Sequence, residues 1–163
     1  MGSRIQKGEG TSFVVGQAWG MAGANAYLLD QTRARRDFPE TLTAFRSFSK
    51  LHPYPAKWVE DAANAAALVA IVKDEIPGVI PVSVEGSKED RARAASHYIE
   101  AGNVYLPHPA IAPWVIHYID EQSAFPAAKN NDQVDTTSQA LRKLFAPDRK
   151  PGLLWGSHNR GAE

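Results

Sequence analysis

The sequence of 163 residues contains no cysteine, and this absence excludes both a disulfide framework and a thiolate metal site. No signal-peptide-like apolar segment follows Met1, and the longest strongly apolar stretch, residues 62–72, is too short to span a bilayer. Lys and Arg number 18, as do Asp and Glu, so the formal net charge is zero and a strongly basic chain is excluded. These absences predict a soluble protein of a cytosol-like compartment.

Several motifs that carry enzyme chemistry are also missing. There is no P-loop, no G-x-G-x-x-G and no G-x-S-x-G, so nucleotide hydrolysis, dinucleotide binding and a serine-hydrolase elbow lack support. The histidines are scattered, and no two have the i, i+4 spacing of a helical zinc site: His52, His97, His108, His117 and His158.

The pattern of apolar residues predicts one domain in which strands and helices alternate. A hairpin turning at Gly20 and Gly23 is followed by two capping boxes, Asp37 with Glu40 and Ser87 with Asp90, each of which predicts the start of a helix. The predicted strands are residues 11–18, 26–31, 56–60, 79–84 and 104–106, and the predicted helices include 37–50, 110–122 and 132–145.

This order predicts an α/β fold with a mixed sheet flanked by helices. Pro81 indicates that the strand at 79–84 is an edge strand, because proline cannot donate to a sheet ladder. Residues 1–145 are predicted to form the domain, and residues 146–163, rich in proline and glycine, a loosely ordered C-terminal tail.

Three acidic residues are candidate metal ligands. Asp61 follows a predicted strand, at the end of an α/β sheet where ligands gather. Asp132 and Asp135 are three residues apart at the start of the last helix, and thus project from one face. Carboxylates suit Mg²⁺ or Mn²⁺, and two such ions about 4 Å apart can activate water and stabilise the leaving oxygen of a phosphodiester. The alternative is that these acids only cap a helix and solvate a strand end.

Two groups of basic residues are candidate contacts for phosphates. Lys88, Arg91 and Arg93 surround the second capping box, and three arginines follow the hairpin: Arg33, Arg35 and Arg36. Such contacts supply affinity for nucleic acid without sequence preference. A solvated helix face is the other interpretation.

Eight short runs of the chain occur in an order that is specific as a set. They are 13–20 (FVVGQAWG), 27–31 (YLLDQ), 37–42 (DFPETL), 59–64 (VEDAAN), 76–82 (IPGVIPV), 85–91 (EGSKEDR), 101–107 (AGNVYLP) and 132–135 (DQVD). Over residues 8–145 this series resembles the C-terminal nuclease domain of phage terminase large subunits.

The resemblance implies a ribonuclease-H-like fold and cleavage of concatemeric double-stranded viral DNA during genome packaging. It implies two divalent ions, Mg²⁺ or Mn²⁺, held by Asp61, Asp132 and Asp135. Glu60 is the alternative to Asp61, since successive strand residues point to opposite faces. The implied partners are DNA, the terminase ATPase domain, the small terminase subunit and the portal, in the host cytoplasm.

The chain also departs from the family pattern. Family members carry an aspartate on a first strand upstream of the position of Lys7, where this chain has Ser3 or Arg4, so that strand is expected to be truncated. The family's His-Asp-Asp is replaced by Asn130-Asn131-Asp132, and a glycine by Ala65. Two ions need about three or four anionic ligands, so low nuclease activity is expected. The alternative function is a catalytically impaired module kept for motor assembly or DNA contact; a resolvase or integrase is a more distant one.

Overall fold

A computed structural model describes residues 13–61, 64–148 and 150–158, so the truncated strand expected around Ser3 and Arg4 lies outside the described residues. The strands of the described residues are β1 (Phe13–Ala22), β2 (Asn25–Arg35), β3 (Ala56–Glu60), β4 (Val79–Val82), β5 (Val104–Tyr105) and β6 (Gly152–His158). The helices are α1 (Phe38–Leu51), α2 (Ala65–Val72), α3 (Lys88–Glu100), α4 (Val115–Ala124) and α5 (Asp132–Leu144).

The strands form one mixed sheet in the order β4-β3-β6-β1-β2-β5. β1 pairs antiparallel with β2 and with β6, while the pairs β3–β6, β3–β4 and β2–β5 are parallel. Gly23 adopts a φ of +58° in the turn of the β1–β2 hairpin, a conformation that costs glycine little. The predicted α/β fold is confirmed, and β4 with Pro81 lies at the edge of the sheet.

Helices cover both faces of this sheet. On one face α1 and α2 pack through Phe45, Leu68 and other apolar side chains against Val14, Val59 and their neighbours. On the opposite face the cluster contains residues from α3, α4 and α5, and includes Trp19, Leu28, Trp58, Tyr118, Leu141 and Leu154. Among the described helices, none has the length and apolar character required to cross a membrane.

The prediction of a loosely ordered tail from residue 146 is wrong for residues 152–158. These residues form β6, which lies between β1 and β3, and Leu153, Leu154 and Trp155 are each no more than 2% exposed. A Cβ on Gly152 would approach the Trp58 ring to 2.7 Å, so the backbone of β6 passes close to its neighbour. Only three apolar residues separate its glycines, a run too short to indicate a strand.

The start of α4 also differs from the prediction. The helix begins at Val115, and the segment before it is a turn in which the backbone N–H groups of Ile111 and Ala112 donate to the His108 carbonyl. Pro113 has no N–H to extend a helical ladder through this turn. Ile119, which lies within the predicted helix 110–122, is 44% exposed.

Candidate functional site

Two buried aspartates in the first turn of α5 form the centre of the candidate site. Asp132 and Asp135 are each 3% exposed, and α5 packs on the sheet face that carries Trp58 and Leu154. β1 and β2 contribute Gln17 and Gln31 to that face, and these residues bond to α5 side chains. The two aspartates therefore lie between the sheet and helix α3, each with a different basic partner.

Asp132 is paired with Arg33 of β2. The Nε atom of Arg33 lies 2.5 Å from Asp132 Oδ2 and its Nη2 atom 3.2 Å from Oδ1, the fork geometry in which a guanidinium binds both carboxylate oxygens. Arg33 Nη2 is also 3.9 Å from Oε1 of Glu121 in α4. Arg33 thus forms ion pairs with two buried acids, Asp132 and Glu121.

Glu121 joins α4 to the first turn of α5. Its side chain is 7% exposed and its Oε2 accepts a hydrogen bond of 3.0 Å from the backbone N–H of Val134, one of the amides that a helix start leaves without a helical partner. Burial and the nearby charge of Asp132 raise the pKa of the Glu121 carboxyl. This residue was not predicted from the sequence, although it is three positions after buried Tyr118.

Asp135 is held by α3. Its Oδ1 accepts from Arg91 Nη2 at 2.6 Å and Nε at 3.1 Å, and its Oδ2 is 3.8 Å from the Lys88 ammonium. Lys88 also donates to the Asn131 side chain at 3.0 Å. Of the three predicted phosphate contacts, Lys88 and Arg91 thus face the aspartates, whereas the Arg93 side chain is 75% exposed beside Asp90.

The two acids at the end of β3 occupy different environments. Val59 packs on the α1 and α2 face, and Trp58 on the α5 face, so strand alternation places Glu60 with Trp58. Glu60 is 6% exposed. Asp61 follows the strand with an exposed side chain, and its N–H donates to the Val82 carbonyl at 2.7 Å. The acid that shares a face with α5 is therefore Glu60.

A buried polar network supports this region. The Thr137 hydroxyl receives hydrogen bonds from Gln17 and Gln122 and lies 2.9 Å from the Tyr118 hydroxyl. Trp19 Nε1 donates to Gln17 at 3.0 Å. Burial raises the pKa of Tyr118, so its hydroxyl stays protonated and acts only through hydrogen bonding. The network fixes α5 against β1 and α4.

The chemical type of these side chains suits a hard divalent cation, because Glu60, Asp132 and Asp135 supply carboxylate oxygens on one sheet face. Within residues 13–61, 64–148 and 150–158, no three acidic or histidine side chains are gathered as a metal site. Arg33 and Arg91 engage the two aspartates instead. Metal binding at these carboxylates therefore requires that the arginines move.

A family model described as the terminase RNaseH-like domain matches residues 7–144. No curated protein and no solved structure matches the chain. The matched span contains every described element from β1 to α5 and ends before β6, and the mixed sheet flanked by helices agrees with a ribonuclease-H-like fold.

Proposed function

Because the chain belongs to the family of terminase RNaseH-like domains, we propose that it is the divalent-metal-dependent endonuclease domain of a viral DNA-packaging terminase. Its substrate is concatemeric double-stranded DNA. The observation that carries the proposal is the burial of three carboxylates, Glu60, Asp132 and Asp135, on one face of the sheet. Acidic residues are rarely buried to this extent, and clusters of buried ionisable groups are common at functional sites.

Glu60, Asp132 and Asp135 hold the cations in this proposal. Two Mg²⁺ or Mn²⁺ ions, when bound, supply an activated water and stabilise the leaving oxygen of the phosphodiester. Glu121 orients the first turn of α5 through Val134 and keeps Asp132 in place through their shared Arg33. The family resemblance implies that Asp61 is a metal ligand. That role stays a prediction, which the Asp61→Asn variant tests.

The basic residues of α3 bind DNA phosphates in this proposal. Arg93 is exposed and available to a phosphate, while Lys88 and Arg91 lie between the surface and Asp135. The remaining partners, namely the ATPase domain, the small subunit and the portal, follow from the packaging role, which takes place in the host cytoplasm.

A second candidate function is a non-catalytic module of the packaging motor. The observation that favours it is the pairing of both α5 aspartates with arginines, because these partners neutralise the buried carboxylates without any metal. Under this alternative the chain binds DNA or motor proteins and cuts nothing.

Plasmid cleavage separates the two functions. The wild-type chain is incubated with supercoiled plasmid in Mn²⁺, Mg²⁺ or EDTA, beside Asp135→Asn and the matched variant Asp120→Asn, which changes an exposed aspartate of α4. The nuclease proposal expects metal-dependent nicking that persists in Asp120→Asn and disappears in Asp135→Asn. Wild-type protein that leaves plasmid intact in both metals contradicts the nuclease and favours the module.

A further inference from the structure

We infer that Arg91 is a latch on Asp135: it holds the carboxylate in an ion pair until a DNA phosphate draws the guanidinium away. The inference rests on the proposed function, because it assumes that DNA and a divalent cation meet at α5. It adds a coupling between DNA binding and metal binding, which neither the fold nor the family match implies.

The latch has a defined geometry. Two nitrogens of Arg91 donate to Asp135 Oδ1, and the third, Nη1, donates to the Gly86 carbonyl at 2.6 Å. The Arg91 side chain is 9% exposed and that of Asp135 3%. The guanidinium therefore lies directly against the carboxylate oxygen that a cation would need, and water has little access to weaken the pair.

A cation at Asp135 and the arginine in its present place exclude one another. Lys88 adds a second positive charge 3.8 Å from Oδ2, so a divalent ion would meet repulsion from both side chains. A phosphodiester offers a guanidinium the same two-oxygen geometry that a carboxylate does. The two Arg91 nitrogens that donate to Asp135 can therefore donate to a phosphate instead.

The surface beside Arg91 has room for that phosphate. A cavity of about 380 Å³ opens between α3 and α5, and Arg91 and Arg142 both line it. Arg142 is 60% exposed and only 3.6 Å from Glu85, a rim pair that a phosphate can displace at little cost. The cavity is where Arg91 and Arg142 would converge on one phosphate.

The consequence is positive coupling between DNA and metal. DNA that recruits Arg91 frees Asp135 for a cation, and a cation at Asp135 releases Arg91 for DNA, by the same factor in both directions. The chain would then bind its metal more tightly with DNA in place than without it.

The first test measures Mn²⁺ binding to the full chain without DNA, from the free-ion electron paramagnetic resonance signal. Arg91→Gln should bind Mn²⁺ about tenfold more tightly than wild type, the factor expected for one hydrogen-bonded charged partner. Arg46→Gln, which removes an exposed arginine of α1 on the opposite side of the sheet, should match wild type. Equal affinity in wild type and Arg91→Gln, or no binding by either, overturns the latch.

The second test needs no variant and covers the case in which Arg91→Gln fails to fold. Fluorescence anisotropy gives the affinity of the wild-type chain for a short labelled duplex, with and without Ca²⁺ at constant ionic strength. The latch predicts about tenfold tighter DNA binding with Ca²⁺. Unchanged affinity overturns it. Wild-type plasmid cleavage without this coupling would support the nuclease proposal and overturn the latch. Coupling without cleavage would support the latch and overturn the nuclease proposal.

Discussion

The Thr137 hydroxyl is at the centre of the buried polar network beneath the candidate site. Its hydroxyl is within hydrogen-bond distance of Gln17, Tyr118 and Gln122. Thr137→Val keeps the shape but leaves these groups without that partner, and should lower the free energy of unfolding by about 1–3 kcal/mol. Urea unfolding measures this loss, and Thr43→Val is the control because the Thr43 hydroxyl is exposed on α1. Equal losses in the two variants would contradict the role of the network.

Lys57 gives the protein a pH dependence at high pH. The side chain donates to the carbonyls of Tyr54 and Pro77, and burial lowers its pKa below the usual 10.5. Between the lowered pKa and 10.5 the unfolded chain binds the extra proton, so the stability that Lys57 contributes rises as pH rises through that window. Wild type should therefore gain stability relative to Lys57→Met between neutral pH and pH 10.5.

The measurement is urea unfolding of both proteins across this pH range, with Lys50→Met as the control at an exposed position of α1. A difference between wild type and Lys57→Met that stays constant with pH would show that the lysine is not buried as described.

At the residue scale the sequence identifies the candidate acids of α5 better than it identifies the residues that they contact. Asp132 and Asp135 follow from their spacing at a helix start, and the structure places both in a buried site. Their partners Arg33 and Arg91 come from β2 and α3, and no local pattern tells whether a basic side chain points to solvent or across to another helix. Glu121 carries a weak signal, since it follows Tyr118 by three positions on the buried face of α4.

Among the elements, α1 shows the most direct relation between sequence and structure. The Asp37 side chain accepts from the Glu40 N–H at 2.9 Å, and the Glu40 side chain accepts from the Asp37 N–H at 3.0 Å. Asp37→Ala removes the cap and should lower the free energy of unfolding by about 0.5–2 kcal/mol. Thermal or urea unfolding tests this, with Asp74→Ala at an exposed position as the control. An unchanged free energy of unfolding in Asp37→Ala would mean that the Asp37 side chain stabilises the start of α1 no more than water does.

Elements with such local signals are the ones that sequence analysis predicts well. Capping residues predicted where α1 and α3 begin, and the strand predicted at residues 56–60 covers the same five residues as β3. The start of α4 could not be read in this way, because helical spacing continues through residues 110–114 while the backbone forms a separate turn around His108.

At the scale of the whole molecule, β6 joins the two parts of the sheet. Its neighbours β1 and β3 do not pair with each other, so the sheet without β6 separates into β1-β2-β5 and β3-β4. A chain ending at residue 146 should therefore lose cooperative unfolding, while a chain ending at 158 should keep it. Circular dichroism during thermal unfolding distinguishes them, and a cooperative transition in the shorter chain would contradict the central role of β6.

A single substitution tests the same element. Leu154 is 1% exposed in the cluster beneath α5, so Leu154→Ala should cost about 2–5 kcal/mol of the free energy of unfolding. Leu51→Ala, at a position 68% exposed, is the control and should change little. A loss at Leu154 no larger than that at Leu51 would show that β6 is not packed in the core.

The central position of β6 could not be predicted, because it depends on pairing with β3 and β1, whose paired residues lie 96 to 145 positions earlier in the chain. Sequence patterns report local preference, and 151–156 (PGLLWG) has the composition of a turn. The α/β class could be predicted because most other elements have an apolar periodicity of their own. The position of β6 depends instead on the space between β1 and β3 in the folded sheet.

The proposed nuclease site lies on the α5 face of the sheet. Glu60→Gln and Asp61→Asn test it most directly, because these adjacent residues differ mainly in the face to which they point. Mn²⁺-dependent plasmid cleavage by the two variants and wild type is compared at equal concentrations of folded protein. Loss of cleavage in Glu60→Gln with near-wild-type cleavage in Asp61→Asn is the predicted result. Full activity in Glu60→Gln with loss in Asp61→Asn would contradict the placement of the site.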